Sequence, residues 1–236
     1  MLPIIATPKY DMIVPSTGES ITYRPYVVKE EKILLIAIES QDEAAIERAV
    51  LNVIKACVES QIDFKKLTTF DVEFMFITLR SKSVGEGIKL KMKCEIEECD
   101  GVTEQKINLE NVTVSNLEEK ANNRIKINDD ISIDLKYLGI NDSLTQAQRT
   151  SETDTVINSV AKCIETIYSG EDTFAAKDVS HKEVVTFVES LNSDQFAMII
   201  SFMEKAPALT YKMEYVCATC GHENKQELKG LSDFFI

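Results

Sequence analysis

With 236 residues, 44% of them hydrophobic, the chain can form one large domain or two small ones around a sizeable core, which excludes global disorder. Its 26 basic residues face 39 acidic ones, a net charge of −13 that repels phosphate backbones and disfavours general nucleic-acid binding; solubility is the plain reading of the acidity. Residues 1–8 lack the basic-then-apolar pattern of a targeting segment, and the longest aliphatic run, 33–38, is far short of the roughly 20 residues that cross a bilayer, so a reducing cytosol is the expected setting.

In chain order, residues 10–14 and 21–28 are β-prone runs flanking Pro15-Ser16-Thr17-Gly18, which predicts a hairpin with Pro25 at an edge or bulge. Over 42–59, Ala45, Ile46, Ala49, Val50, Val53, Ile54 and Cys57 recur at helical spacing, with Ser40 or Asp42 as the cap and Cys57 on the apolar stripe. Phe70, Val72, Phe74, Met75, Phe76 and Leu79 fit a helix opened by Thr68 or Thr69, or a strand; Ser83-Val84-Gly85-Glu86-Gly87 ends that segment. Alternation over 88–93, 102–109, 112–114 and 125–138 predicts strands.

From about Asn141 to Ala206 the chain reads as largely helical. Residues 156–168 carry Val156, Val160, Cys163, Ile164 and Ile167 on one face, again with the cysteine as a core residue. Ser180 with Glu183 is a capping-box signature, and Asn192 with Gln195 repeats it, with Ser193 as an alternative plain cap. Pro207 bounds the last helix, and 209–216 return to strand.

Six cysteines in a reducing compartment call for a metal or for burial before disulfides. Cys94 and Cys99 are separated by four residues and Cys217 and Cys220 by two, spacings that let both sulfurs of a turn face one tetrahedral ion. Both turns have β-like flanks, as a zinc ribbon requires, and the flanks echo each other in Leu90-Lys91-Met92-Lys93 and Tyr211-Lys212-Met213-Glu214. The expectation is one structural Zn2+ on Cys94, Cys99, Cys217 and Cys220. Other readings are two unrelated cysteine turns, His222 in place of one thiol, and a redox pair at Cys217-Ala218-Thr219-Cys220. The fold class is therefore α+β: β-rich parts carrying a zinc-ribbon-like clasp of four cysteines, with a helical insertion between the pairs. Expected divisions are 1–140, 141–206 and 207–236.

Nothing in the sequence points to catalysis. Two histidines, His181 and His222, are the imidazole candidates, and no nucleophile elbow, phosphate loop or His-Glu-x-x-His helix occurs. Carboxylate pairs such as Glu30-Glu31 and Asp129-Asp130 read as solvated faces, so no enzyme is expected.

Several segments together resemble the baseplate hub proteins of T4-like contractile phages. They are 14–18 (Val-Pro-Ser-Thr-Gly), 23–32 (Tyr-Arg-Pro-Tyr-Val-Val-Lys-Glu-Glu-Lys), 70–73, 79–86, 217–221 and the terminal Asp233-Phe234-Phe235. The resemblance spans most of the chain, with 111–151 the less familiar part. It implies a non-enzymatic role in building the central hub, partners among other hub or tail proteins, and a location in the host cytoplasm during assembly or in the virion tail baseplate. Two alternatives are a tail assembly chaperone that holds the tape-measure protein and leaves, using helices over 156–202 as a groove, and a zinc-ribbon nucleic-acid binder using Lys91, Lys93, Lys212 and Lys225. The charged group Arg24, Lys29, Glu30, Glu31 and Lys32 reads as an internal ion-pair network or a partner contact, and Phe234, Phe235 and Ile236 as core plugs or a sticky tail.

Overall fold

The structure, a computed structural model, describes residues 5–117, 123–140, 142 and 152–234. The chain forms two compact units. One comprises Met1–Ile62, Phe70–Ser115 and Pro207–Ile236, the other Asp63–Thr69 and Asn116–Ala206.

The first unit starts with the expected hairpin, β1 (Tyr10–Ile13) antiparallel to β2 (Ser20–Tyr23). Gly18, at φ +70°, closes its turn by donating to the Val14 carbonyl at 2.8 Å. The second strand stops at Tyr23 rather than reaching Val28. Glu30 accepts the Val27 N–H at 3.0 Å and pairs with Arg24 at 2.9 Å, which opens a helix, α1 (Val28–Glu39), just past Pro25. The aliphatic run 33–38 lies in this helix. Burial raises the Glu30 carboxyl, but the Arg24 guanidinium and the Val27 N–H outweigh it and hold the group below the usual carboxylate range. This charged group is thus internal in part, with Glu30 buried and Lys29 and Lys32 turned outward.

Helix α2 (Glu43–Cys57) covers the periodic stretch as expected, with Asp42 accepting the Ala44 N–H at 3.0 Å. Cys57 is fully buried on its inner stripe, and burial pushes its thiol up to about 11, the environment of an inert packing residue. The ambiguous segment is a helix, α3 (Thr69–Ser83). Phe70, Val72, Met75, Phe76, Ile77 and Leu79 are buried on several of its sides, which erases any single period from the sequence.

Two long hairpins complete this unit. Strand β3 (Gly87–Lys93) pairs with β4 (Val102–Asn108), and β10 (Leu209–Val216) pairs with β11 (Glu223–Lys229), both antiparallel and without a register break. The short β5 (Thr113–Val114) joins the start of β10. Ile88, Leu90 and Ile107 of the first hairpin, Leu209, Met213, Tyr215 and Leu228 of the second, and Ile77 of α3 form one core. A terminal 3-10 turn, Leu231–Phe234, inserts Phe234 into that core as a plug; Phe235 and Ile236 lie outside the described residues.

The second unit is built on an antiparallel sheet of four strands in sequential order: β6 (Arg124–Lys126), β7 (Ile131–Leu135), β8 (Ile164–Ser169) and β9 (Asp172–Ala175). The stretch expected to be helical, 141–206, is mixed among its described residues, because β8 and β9 lie in it, and the predicted helix over 156–168 is corrected. Helix α4 (Glu152–Cys163) ends at Cys163, and β8 starts at the next residue. Lys136 N–H donates to the Cys163 carbonyl at 2.7 Å, and the β-branched Ile164, Thr166 and Ile167 pair with β7, so tertiary pairing overrides the helical spacing. The expected onset of helix near Asn141 lies outside the described residues.

Both capping boxes form. Ser180 and Glu183 start α5 (His181–Glu189), and Asn192, not Ser193, caps α6 (Ser193–Glu204) in a reciprocal exchange with Gln195 at 2.9 Å each way. Val160, Val184, Val188, Ile199 and Phe202 pack with Ile133 and Leu135, so these helices turn their apolar side chains onto their own sheet. No helix among the described residues is long and apolar enough to cross a membrane.

Candidate metal centre

The two long hairpins bring the paired cysteines together. Each ladder ends one residue before a cysteine, at Lys93 opposite Val102 and at Val216 opposite Glu223. The first turn is shaped by Cys94 N–H donating to the Gly101 carbonyl and Cys99 N–H to the Ile96 carbonyl, both at 2.9 Å. In the second, Cys217 N–H donates to the His222 carbonyl at 2.8 Å, and Gly221, in the left-handed region at φ +75°, donates to the Cys217 carbonyl at 2.9 Å. The flanking echo has a structural basis, since Leu90, Met92 and Met213 all face the core the hairpins share.

Side chains that the sequence did not flag lock one hairpin to the other. Asn224, fully buried, accepts the Glu95 N–H at 2.8 Å and donates to the His222 carbonyl at 3.0 Å. Tyr215 Oη and Gln226 Nε2 both donate to the Lys93 carbonyl, the latter at 3.1 Å. Thr103 Oγ1 accepts the Ala218 N–H at 3.1 Å. Gly101 sits where the turns touch: a Cβ there would lie 2.6 Å from Cys217 Sγ and 2.9 Å from Thr219 Oγ1, so only glycine fits without displacement.

The four sulfurs of Cys94, Cys99, Cys217 and Cys220 lie within 4.8 Å of one another. Cys94 and Cys220 are 3.7 Å apart, and Cys99 and Cys217 3.8 Å. Four thiolates at about 2.3 Å from a tetrahedral zinc stand about 3.8 Å from each other, so the donor set fits that ion in kind, number and spacing. Cys217 is buried and Cys220 exposed, which places the cluster at the surface end of the hairpin core.

The thiols do not share a common affinity for protons. Backbone N–H groups of Cys220 and Thr219 pull the Cys217 thiol down to about 6. At Cys99 the Gly101 N–H pulls the same way, but the neighbouring Cys220 and Cys217 sulfurs and burial outweigh it and push the thiol up to about 12. At Cys94 the Ile96 N–H also pulls down, and burial with the Cys220 and Cys217 sulfurs outweighs it, so this thiol is raised too. Thiolates crowded this closely oppose one another's ionisation, a conflict that a bound dication removes.

His222 is not part of the sulfur group; its carbonyl serves the second turn. Cys217-Ala218-Thr219-Cys220 lies in a turn between β10 and β11, not at the helix N-terminus where dithiol redox pairs are activated. Two of the four lysines that a nucleic acid would use are matched by carboxylates: Lys225 pairs with Glu214 at 2.8 Å and Lys212 approaches Glu227 at 3.9 Å. Lys91 stands opposite Glu104, which pairs with Lys89 at 2.7 Å.

A sequence model of one family, described as T4 bacteriophage base plate protein, matches residues 7–236. No curated protein and no solved structure matches the chain.

Proposed function

Because the chain belongs to the T4 bacteriophage base plate protein family, we propose that it is a non-enzymatic hub subunit or hub assembly factor of a contractile tail, working through protein–protein contacts. One structural zinc ion on Cys94, Cys99, Cys217 and Cys220 ties its two long hairpins together. The observation that carries the zinc is the sulfur cluster itself, whose 3.7 Å and 3.8 Å pairs match the edges of a zinc–thiolate tetrahedron. Four protein ligands close the coordination shell, so the ion would hold the fold and leave no open position for chemistry. The residues around it support that role: Asn224, Tyr215, Gln226 and Thr103 orient the two turns, and Gly101 lets them touch. In this reading the hairpins 87–108 and 209–229 are the halves of one clasp, and residues 116–206 are an insertion between them.

Elemental analysis of protein purified without chelators tests the metal, with about one zinc per chain expected. A folded, metal-free protein would remove the clasp. Quantitative mass spectrometry of purified particles beside infected-cell lysate tests the place in assembly. A few copies per particle, in fixed ratio to known tail components, makes it a resident hub subunit. Abundance in lysate with none in particles makes it an assembly factor or a chaperone that leaves. The acidic surface and the lysine–carboxylate pairs beside the cysteines weigh against a zinc-ribbon nucleic-acid binder, and absence of DNA binding at low salt would remove that reading.

A further inference from the structure

Helix α1 carries apolar side chains on all sides, a composition that belongs in an interior. Only Glu30, Leu34 and Ala37 are buried. On the opposite side, at the 100° per residue of an α-helix, lie Val28, Lys32, Leu35, Ile36 and Glu39. Val28 is 77% exposed, Leu35 54% and Ile36 56%, with Ile33 and Ile38 half-exposed on the flanks. Scattered exposed aliphatics are ordinary, whereas a row of them on one short helix marks a surface that another surface covers.

The charges on this face indicate which surface. Among the described residues Lys32 and Glu39 make no ion pair, while Lys29 is engaged by Glu30 at 3.3 Å and Asp42 by Arg48 at 3.6 Å. Glu39 also lies in the last turn, where the helix dipole disfavours an unpaired anion. A second α1 laid antiparallel, with the two-fold axis between Leu35 and Ile36, corrects both features. Residue 32 then meets residue 39 of the other copy, twice by symmetry, and Leu35 meets Ile36 across the axis.

We infer that the outward face of α1 is a self-complementary docking surface for a second copy of this chain, paired antiparallel through Leu35 and Ile36 and closed by Lys32–Glu39 ion pairs. The helix is only about 18 Å long, so the contact is smaller than a standard interface and the dimer is correspondingly weak. This inference stands apart from the zinc clasp, because none of these residues belongs to the hairpins.

Sedimentation velocity of the full chain from about 5 to 200 µM, a range suited to a small interface, reads the association directly. Self-association is expected in the parent, and Ile36→Asp, which acts twice at the axis, should weaken it at least about tenfold. Lys32→Glu and Glu39→Lys alone each place like charges across the seam and should weaken it about threefold to tenfold, and the double reversal should recover association close to that of the parent. All these substitutions are on the outward face, and unchanged far-UV circular dichroism and melting confirm that the chain still folds. A parent that is monomeric over the whole range, association indifferent to Ile36→Asp, or a double reversal no tighter than the single changes would each overturn the proposal.

Discussion

In the unit built on β6–β9, the side chains that meet between sheet and helices are largely aliphatic: Ile133 and Leu135 from the sheet, Val160, Val184, Val188 and Ile199 from the helices. The hairpins β3–β4 and β10–β11 begin in the same way, with Ile88, Leu90, Met213 and Leu228, but their apolar packing runs out before the tips. There the chain carries Glu95, Glu97, Glu98 and Asp100 on one side and an exposed Val216 on the other. Burial cannot join two such ends. Sulfur, a buried asparagine and a tyrosine hydroxyl take over where hydrocarbon stops. In the proposed reading the first unit depends on an ion and a polar network at one extremity, whereas the second closes by packing and helix caps.

Substitutions should separate these two modes. The largest expected effect is on the clasp: Cys220→Ser, or extraction of the metal by a strong chelator, should lower the melting temperature of the hairpin unit by roughly 10 °C or more. Calorimetry should show the transition of the β6–β9 unit retained; equal melting of Cys220→Ser and the parent would argue against a structural ion. Ile199→Ala, at a fully buried position, should cost about 2–4 kcal/mol in denaturant titrations and leave metal content untouched. A smaller effect, about 1–3 kcal/mol, is expected for Gly101→Ala, whose new methyl collides with Cys217 Sγ. It should also lower metal affinity in competition with a chromogenic chelator, which a purely backbone effect would not do.

The smallest effect concerns Glu73, which accepts the Leu231 N–H at 3.1 Å below the terminal 3-10 turn. Burial raises its carboxyl above the ordinary 4.5, and Glu47 adds to the shift. The folded chain therefore holds this proton more tightly than the unfolded one. The stability it contributes is full below 4.5 and is lost as pH rises through the raised value. Glu73→Gln keeps an acceptor for Leu231 without the charge, so it should melt higher than the parent at neutral pH and converge with it below about pH 4.5. Parallel curves at all pH values would count against this account.

Whatever depends on neighbours in sequence can be read from the residues alone. The stripe from Ala45 to Cys57, the Ser180–Glu183 and Asn192–Gln195 boxes and the spacing of the two cysteine pairs are local signals, and each appears in the structure. Helix α1 is hidden because its apolar residues follow no period, and α3 is ambiguous for a related reason: it is buried on several sides. The turn from α4 into β8 at Ile164 is illegible because β7, distant in sequence, decides it. So are Asn224, Tyr215 and Gly101, whose roles exist only once the two hairpins lie side by side.

The separation of the cysteine pairs has a consequence in time. Cys99 and Cys217 are 118 residues apart, so at bacterial elongation rates of about 5–20 residues per second roughly 6 to 24 s pass between their syntheses. During that interval Cys94 and Cys99 have been made and Cys217 and Cys220 have not, while all of residues 116–206 are made. In the proposed reading, residues 116–206 are made before the clasp has its second half, and the last hairpin to emerge meets a first hairpin made well before it.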